Sequence, residues 1–267
     1  LDHETYSTAA AEPLLAWLQQ HQIPVIPVTS KTRAEVLTLR QALQLDHPFV
    51  VENGAAIFIP QALLSSGRAK QEGLTLAEGF WIKAFAPPRS QWLRWLEHVA
   101  EQLPGAFTCF SWLENTGVAE ATGLSLEQAA LANQRDYSEP LLWQGSEFDK
   151  QRFERLADAQ GYNVIEGGRF VHVTSGYDKG HALRWLCRLY AGIQPRPVVS
   201  VALGDSGNDV EMLEAADYAV VIRSPVKDFP MTTQGEHIQY SSQCGPAGWQ
   251  ECLGPLLGWQ APSTPPK

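Results

Sequence analysis

An α/β fold, in which a discontinuous core built on a parallel sheet carries an inserted α+β cap, is the fold class that the sequence predicts. Three observations predict it. Apolar strand-like runs alternate with helical patterns between Ala9 and Gly54, and the same alternation resumes after Lys179. A different mixture of helices and short strands separates these two stretches. Alternating strands and helices favour parallel pairing, because two parallel strands need a long crossover between them.

The composition limits the possible functions. The 267 residues are 44% hydrophobic and carry a formal net charge of −9, without a run of Lys or Arg. This balance favours a buried core and argues against a surface for nucleic acid or anionic membranes. No apolar stretch reaches the roughly 18 residues that a membrane span needs, and the four cysteines form no CxxC pair that would suggest zinc. We therefore expect a soluble, cytoplasmic protein.

The flanking segments have the patterns of a parallel α/β sheet and form the predicted core, residues 1–80 and 176–258. Before the cap, the predicted elements are a helix over 9–20, a strand over 23–28, a helix over 32–43 and a strand over 49–51. After the cap, they are a helix over 179–190, a strand over 198–203, a helix over 210–216 and a strand over 218–222. Two prolines weaken the strand pattern of 23–28.

Residues 81–175 are predicted to form the cap. Its predicted elements are helices over 90–102, 124–133 and 149–160, and strands over 141–143 and 170–173. The proline-rich residues 259–267 are predicted to be a disordered tail.

Two carboxylates follow the strand 198–203, in the segment Gly204-Asp205-Ser206-Gly207-Asn208-Asp209. Ligands of α/β proteins bind at the carboxyl ends of parallel strands, and Mg²⁺ prefers oxygen ligands. We predict that one of Asp205 and Asp209 binds Mg²⁺ directly, while the other, with Asn208, orients ligands or water. The alternative is an ordinary strand-to-helix turn, in which these residue types are common.

Lys179, at the start of a predicted helix, is a candidate phosphate ligand. Its ammonium would offset the charge of a transferring phosphoryl group and of a nucleophilic carboxylate. By itself, a lysine in the first turn of a helix is usually solvated. The two carboxylates of the segment Gly204–Asp209, which follows the next predicted strand, favour the catalytic interpretation.

Candidate substrate ligands lie in both predicted domains. Thr29 and Ser30 stand before a helix, where a hydroxyl and free N–H groups can bind phosphate, although an N-cap explains them equally well. Asn53 is a candidate at the rim of the site, although Asn-Gly is also a common turn pair.

The predicted cap contributes Arg135 and Ser138 as the best candidates for a second anionic group, because an arginine suits a carboxylate bidentately. Arg169 and His172 are further candidates, although each alone is more often a surface or hydrogen-bonded residue.

Seven segments together carry a resemblance to a known family. They are Val28-Thr29-Ser30-Lys31-Thr32-x-Ala34-Glu35-Val36, Val51-Glu52-Asn53-Gly54-Ala55-Ala56-Ile57, Thr122-Gly123-Leu124-Ser125, Gln128-Ala129-Ala130, Asp178-Lys179-Gly180, Leu203-Gly204-Asp205-Ser206-Gly207-Asn208-Asp209 and Gly245-Pro246-x-Gly248-Trp249. In these segments the chain resembles mannosyl-3-phosphoglycerate phosphatases of the haloacid dehalogenase-like superfamily, over nearly its whole length.

The resemblance implies a Rossmann-like core with a type-2 α+β cap. It also implies Mg²⁺-dependent hydrolysis of mannosyl-3-phosphoglycerate to phosphate and mannosylglycerate, a compatible solute. In this family the phosphate is transferred to an Asp nucleophile, and a second Asp two residues on acts as general acid and base. By position, Thr29 would bind phosphoryl oxygens, Lys179 would contact phosphate and nucleophile, Asp205 would bind Mg²⁺ and Asp209 would support it.

The Asp-Leu-Asp-Gly-Thr loop of that family would come just before Leu1 and has no counterpart in the chain. Asp2 and Glu4 are not expected to replace it, because no apolar strand precedes Asp2 and no Gly-Thr follows it. The hypothesis is that the chain is a truncated form of a longer protein, whose nucleophile lies upstream of Leu1. Without that central strand, the chain is expected to be inactive and poorly folded.

Other functions stay open at this point. One alternative is a phosphatase acting on glucosyl-3-phosphoglycerate or on another sugar phosphate. Another is a catalytically inactive binding protein with the same fold, against which the retained Lys179, Asp205 and Asp209 argue. The expected partner is a small phosphorylated sugar–glycerate, with no nucleic acid and no membrane, and a homodimer is one of the oligomeric states left open.

Overall fold

The computed structural model describes residues 8–167, 170–231 and 237–259. The described residues up to Val25 and from Asp178 onward form one compact unit, called the terminal unit below. Those from Ile26 to Tyr177 form a second, called the central unit. The boundary before Asp178 lies close to the predicted end of the cap. The division into a core of 1–80 and 176–258 and a cap of 81–175 stays a prediction.

The secondary structure follows the predicted helices closely. The helices are α1 (Glu12–Gln20), α2 (Arg33–Ala42), α3 (Ser66–Gln71), α4 (Arg89–Gln102), α5 (Phe110–Thr122), α6 (Leu126–Asn133), α7 (Glu147–Asp158), α8 (Lys179–Ala191), α9 (Val210–Ala215) and α10 (Gly245–Leu257). The strands are β1 (Phe49–Val51), β2 (Ala56–Pro60), β3 (Thr75–Ala77), β4 (Phe80–Ala84), β5 (Phe107–Cys109), β6 (Pro140–Trp143), β7 (Asn163–Gly167), β8 (Phe170–Thr174), β9 (Val201–Gly204), β10 (Tyr218–Arg223) and β11 (Ile238–Cys244).

A parallel sheet organises the terminal unit. β10 lies between β9 and β11 and pairs in parallel with both. Leu14, Leu18 and Leu253 form a buried cluster that joins α1 to α10, and Trp259 packs against it. The parallel α/β core that the sequence predicts is therefore confirmed in this unit. The remainder of the predicted tail, residues 260–267, lies outside the described residues.

Two antiparallel sheets organise the central unit. One has the order β1-β2-β4-β3, and the other has the order β5-β6-β8-β7. The second sheet is covered by α4 and α7, whose buried Trp92, Leu96 and Phe153 share a core with Leu141 and Val171. Helices packed on an antiparallel sheet give the α+β character that was predicted for this part of the chain.

The predicted strand over 23–28 is wrong. Val28 makes only an isolated parallel bridge to Val50, in which the Val50 N–H donates to the carbonyl of Pro27 at 2.8 Å. Pro24 and Pro27 have no N–H group, so this segment cannot form a continuous ladder. The strand β1 was correctly predicted, but its partner β2 was not, and the two pair antiparallel. Within the described ranges, no helix is long and apolar enough to cross a bilayer.

Candidate active site

The turn after β9 is built around the side chain of Asp209. Its Oδ2 atom accepts hydrogen bonds from the backbone N–H groups of Asp205 at 3.0 Å and Ser206 at 3.1 Å, and lies 3.0 Å from the Ser206 hydroxyl oxygen. Asp209 is buried, whereas Asp205 and Asn208 are exposed. The carboxylate of Asp209 therefore holds the turn together through its backbone N–H groups, while the side chain of Asp205 stays exposed.

Lys179 is bound to the same carboxylate. Its Nζ atom donates to Asp209 Oδ1 at 2.5 Å, and both side chains are almost fully buried, with exposed fractions of 6% and 7%. Lys179 opens α8, whose N-cap is Asp178, and the Asp178 side chain accepts from the His181 N–H at 2.6 Å. The sequence-predicted Lys179, Asp205, Asn208 and Asp209 thus lie together in the terminal unit.

Close backbone packing makes this arrangement possible. A Cβ atom on Gly204 would lie 2.4 Å from Cβ of Asp209, and one on Gly180 would lie 2.2 Å from the carbonyl oxygen of Glu211. Both distances are shorter than non-bonded atoms tolerate. Gly204 is therefore required beside the side chain of Asp209, and Gly180 is required where α8 packs against the backbone of α9.

We expect the substitution Gly204→Ala to lower the free energy of unfolding by about 1–3 kcal/mol, because the new methyl group displaces the Asp209 side chain. Chemical denaturation of the two proteins measures the difference. Gly207→Ala is the matched control in the same turn, since its Cβ would meet no atom within 4 Å. Equal losses of stability in both variants would contradict this account of Gly204.

The turn after β9 offers one free carboxylate, that of Asp205, as a ligand for a hard cation such as Mg²⁺. The Asp205 carboxylate is exposed and makes no hydrogen bond to another described residue, whereas both oxygens of Asp209 already accept hydrogen bonds. Mg²⁺ commonly binds through one or two carboxylates and keeps several waters. Among the described residues, no group of three or more His, Cys, Asp or Glu side chains could hold a metal by itself.

A second group of predicted site residues lies in the central unit. The carbonyl oxygen of Thr29 accepts the N–H of Asn53 at 2.9 Å, and the Thr29 hydroxyl accepts the N–H of Lys31 at 3.2 Å. The carbonyl of Ser30 accepts from an outer nitrogen (Nη2) of Arg135 at 3.1 Å. Thr29, Ser30, Asn53 and Arg135 are therefore contiguous, although Arg135 is remote from the other three in the sequence.

A buried glutamate, Glu52, holds the loop that contains Arg135 and Ser138. The Oε1 atom of Glu52 accepts the N–H of Asp136 at 2.8 Å. Its Oε2 atom accepts the N–H of Tyr137 at 3.2 Å and the hydroxyl of Ser138 at 2.5 Å, and lies 3.5 Å from Arg135 Nε. Residues 135–138 are thereby fixed to the turn that carries Asn53.

Burial sets the charge state of the neighbouring groups. Burial, with a smaller contribution from the positive charge of Arg135, lowers the pKa of His172 to about 4. Burial also raises the pKa of Tyr177 well above its ordinary value, and the carboxylate of Glu52 adds to this effect. Both side chains are therefore uncharged at neutral pH.

Sequence reasoning missed the importance of Glu52. Of the segment Glu52-Asn53-Gly54, only Asn53 was singled out, as a candidate at the rim of the site, whereas the structure buries Glu52 to 1% exposure. A second buried carboxylate, Glu139, was also missed, and it pairs with Arg89. The predicted candidate Arg169 and the doubtful pair Asp2 and Glu4 lie outside the described residues.

Comparison with known proteins gives the class. A haloacid dehalogenase-like hydrolase family matches residues 146–227, a range that includes Lys179, Asp205 and Asp209. A solved subclass IIB sugar phosphatase of that superfamily superimposes with a TM-score of 0.55 and 14% sequence identity, covering 94% of this chain and 91% of the other. At this identity the likeness concerns the fold alone. Fold and matches together define a phosphoric monoester hydrolase of the haloacid dehalogenase type.

Two relatives narrow the class. A glucosyl-3-phosphoglycerate/mannosyl-3-phosphoglycerate phosphatase of Methanococcoides burtonii is 34% identical over 258 residues, which are 97% of this chain and 93% of the relative. A phosphatase of the same name from Persephonella marina is 29% identical over 96% of this chain and 93% of its own. The chain belongs to the glucosyl-3-phosphoglycerate/mannosyl-3-phosphoglycerate phosphatase family, which confirms the resemblance predicted from the sequence.

Proposed function

We propose that this protein hydrolyses mannosyl-3-phosphoglycerate to mannosylglycerate and inorganic phosphate. The names of the two relatives support this substrate class. The observation that carries the chemistry is the buried pair of Lys179 and Asp209 beside the exposed carboxylate of Asp205. A cation held next to a metal-binding carboxylate is suited to phosphoryl transfer, where charge spreads over the phosphoryl oxygens.

Lys179 is the proposed ligand of the transferring phosphoryl group. An ammonium has three N–H donors, and one of them binds Asp209. The other two have no partner among the described residues and are available to phosphoryl oxygens. Because Asp209 fixes the ammonium in place, Lys179 stabilises the developing charge without reorganising during the reaction.

Asp205 is the proposed direct ligand of Mg²⁺, and Asp209 supports it by shaping the turn. When bound, Mg²⁺ supplies positive charge that neutralises the phosphoryl oxygens. Asn208 would orient ligands or water from the same turn. The proposed reaction includes transfer of the phosphoryl group to an aspartate, a role that is not assigned to any residue from Leu1 to Lys267.

The contiguous group in the central unit would bind the substrate. The hydroxyls of Thr29 and Ser30 are suited to phosphoryl oxygens, and Asn53 adds an amide to the same group. Arg135, held by Ser138, would bind the carboxylate of the glycerate part. The product, mannosylglycerate, would serve as a compatible solute in the cytoplasm.

Glucosyl-3-phosphoglycerate is a second candidate substrate, because both relatives carry the two sugars in their names. The sugars differ in the orientation of one hydroxyl, which none of the residues discussed above is assigned to recognise.

The proposal is tested by phosphate release in the presence of Mg²⁺ from the protein expressed from its complete gene. The substrates are mannosyl-3-phosphoglycerate, glucosyl-3-phosphoglycerate, 3-phosphoglycerate and mannose 6-phosphate, with a chelator as the control for the metal. We expect one or both glycosyl phosphoglycerates to have the highest kcat/KM and the chelator to abolish turnover. A higher kcat/KM for mannose 6-phosphate would overturn the substrate, and binding without turnover would favour the inactive binding protein.

A further inference from the structure

We propose that Glu52 is a positioning residue, which orients Arg135 so that one amino group of its guanidinium binds the carboxylate of the substrate's glycerate part. This inference rests on the proposed function, since it names the group that determines specificity in that same site. Glu52 itself does not touch the substrate in this proposal. It acts through Arg135 and through the loop of residues 135–138.

The carboxylate of Glu52 is fully engaged by that loop. It accepts two backbone N–H groups and the hydroxyl of Ser138, and its Oε2 lies 3.5 Å from Arg135 Nε. A buried carboxylate is stable only when it is paired and hydrogen-bonded, so the loop and Glu52 require each other. Glu52 and the next residue, Asn53, both have positive φ angles, of 52° and 60°. Non-glycine residues adopt such angles at an energetic cost that the surrounding contacts must offset.

Arg135 is held on two of its three nitrogens. Its Nε donates to the hydroxyl of Ser138 at 2.9 Å, and its Nη2 donates to the carbonyl of Ser30 at 3.1 Å. The side chain is only 6% exposed. Its remaining nitrogen, Nη1, has no hydrogen bond to a described residue, so a buried and rigid guanidinium keeps one amino group available.

The neighbouring carboxylates of the same loop already have cationic partners. Glu139 accepts from Nε and Nη2 of Arg89, and Asp136 lies 3.2 Å from Nε of Arg33. Glu52 pairs with the inner side of Arg135 and leaves Nη1 unoccupied. An external anion is therefore the natural partner for Nη1, and Ser30, whose carbonyl binds Arg135, is itself a proposed phosphate ligand.

The anion expected at Arg135 Nη1 is a carboxylate, because Ser30 next to it is proposed to bind the phosphate of the same substrate. One substrate molecule would then present its phosphate to Thr29 and Ser30 and its carboxylate to Arg135. A guanidinium whose orientation is fixed in advance loses little entropy when it binds a ligand. Loss of the orientation that Glu52 supplies should therefore raise the KM.

The test compares Glu52→Gln with the wild-type protein, both expressed from the complete gene, on two substrates. These are mannosyl-3-phosphoglycerate and its methyl ester, in which the carboxylate of the glycerate part carries no charge. We expect Glu52→Gln to raise the KM for the acid about 10- to 100-fold, with kcat changed much less. The KM for the ester should stay close to its wild-type value. The ratio of the two KM values is the readout, because a general loss of structure would affect both substrates alike.

Glu139→Gln is the matched control. It removes an equally buried carboxylate next to the loop of residues 135–138, but one that pairs with Arg89 instead of Arg135. It should leave the ratio of the two KM values unchanged. Should Glu52→Gln fail to fold, Ser138→Ala removes only the hydroxyl that bridges Glu52 and Arg135, and should change the ratio in the same direction by a smaller factor. In an Arg135→Met background, Glu52→Gln should have no further effect on the ratio.

The outcomes separate the two proposals. Equal changes for acid and ester in Glu52→Gln, or in Ser138→Ala if that is the variant that folds, would overturn the positioning role and leave the phosphatase activity standing. The same conclusion follows if the wild-type protein hydrolyses both substrates with the same KM. No hydrolysis of either substrate by the wild-type protein would overturn the proposed substrate, and with it the role of Arg135.

Discussion

The substitution Lys179→Met is expected to lower phosphate release about a thousandfold and to destabilise the protein by about 3–5 kcal/mol. The catalytic loss is expected because the substitution removes the ammonium that we propose binds the phosphoryl group. The loss of stability follows because the Asp209 carboxylate, whose side chain is 7% exposed, is left buried without its cation. Steady-state phosphate release and urea denaturation measure the two effects.

Two further variants separate catalysis from stability. In the double variant with Asp209→Asn, the buried negative charge is absent, so much of the stability should return while phosphate release stays low. Lys70→Met is the surface control, because Lys70 is exposed and forms no ion pair with a described residue, so its loss should change the stability by less than about 1 kcal/mol. Normal phosphate release by Lys179→Met would contradict the role assigned to Lys179.

The imidazole of His172 is expected to make the protein less stable in acid. Its pKa in the folded protein is lowered to about 4 from the ordinary value of 6.5, chiefly by burial and further by Arg135. Between these two pH values the unfolded chain binds the proton and the folded protein does not. The free energy of unfolding should therefore fall as the pH falls from 6.5 to 4, by about 3 kcal/mol from this residue.

Urea denaturation at a series of pH values measures this loss. His172→Gln cannot bind the proton, so the variant should show a pH dependence that is weaker by about the same amount. His98→Gln is the control, because the side chain of His98 is 74% exposed, and it should follow the wild-type curve. An identical pH dependence in wild type and His172→Gln would show that the buried imidazole is protonated without unfolding.

The sequence predicted seven of the ten described α-helices and missed α3, α5 and α10. The predicted helices depend on residues that lie close together in the chain. Periodic apolar residues predict α2, α4 and α8. Capping residues mark where a helix begins, as Thr32 does for α2. Asp205, Asn208 and Asp209 occupy one turn, so their proximity follows from spacing alone. The hydrogen bond between Lys179 and Asp209 was not predicted, because it joins residues 30 positions apart.

Strand pairing was predicted less well. The apolar run 23–28 has the hydrophobicity of a buried strand, but its prolines remove the N–H groups that a ladder needs. β2, β3 and β4 are short, and their antiparallel order depends on partners up to 28 residues away. Pairing of this kind is decided by the whole sheet and is weakly encoded in any one strand.

By itself, the sequence determined the family and the α/β class and supplied the candidate site residues, because these depend on residue type and local spacing. Only the tertiary structure decided which of those residues meet. Glu52 reaches Asp136 across 84 positions, and Arg135 reaches Ser30 across 105. Such contacts exist because folding buries Glu52, and a buried carboxylate must find donors and a cation wherever the chain brings them.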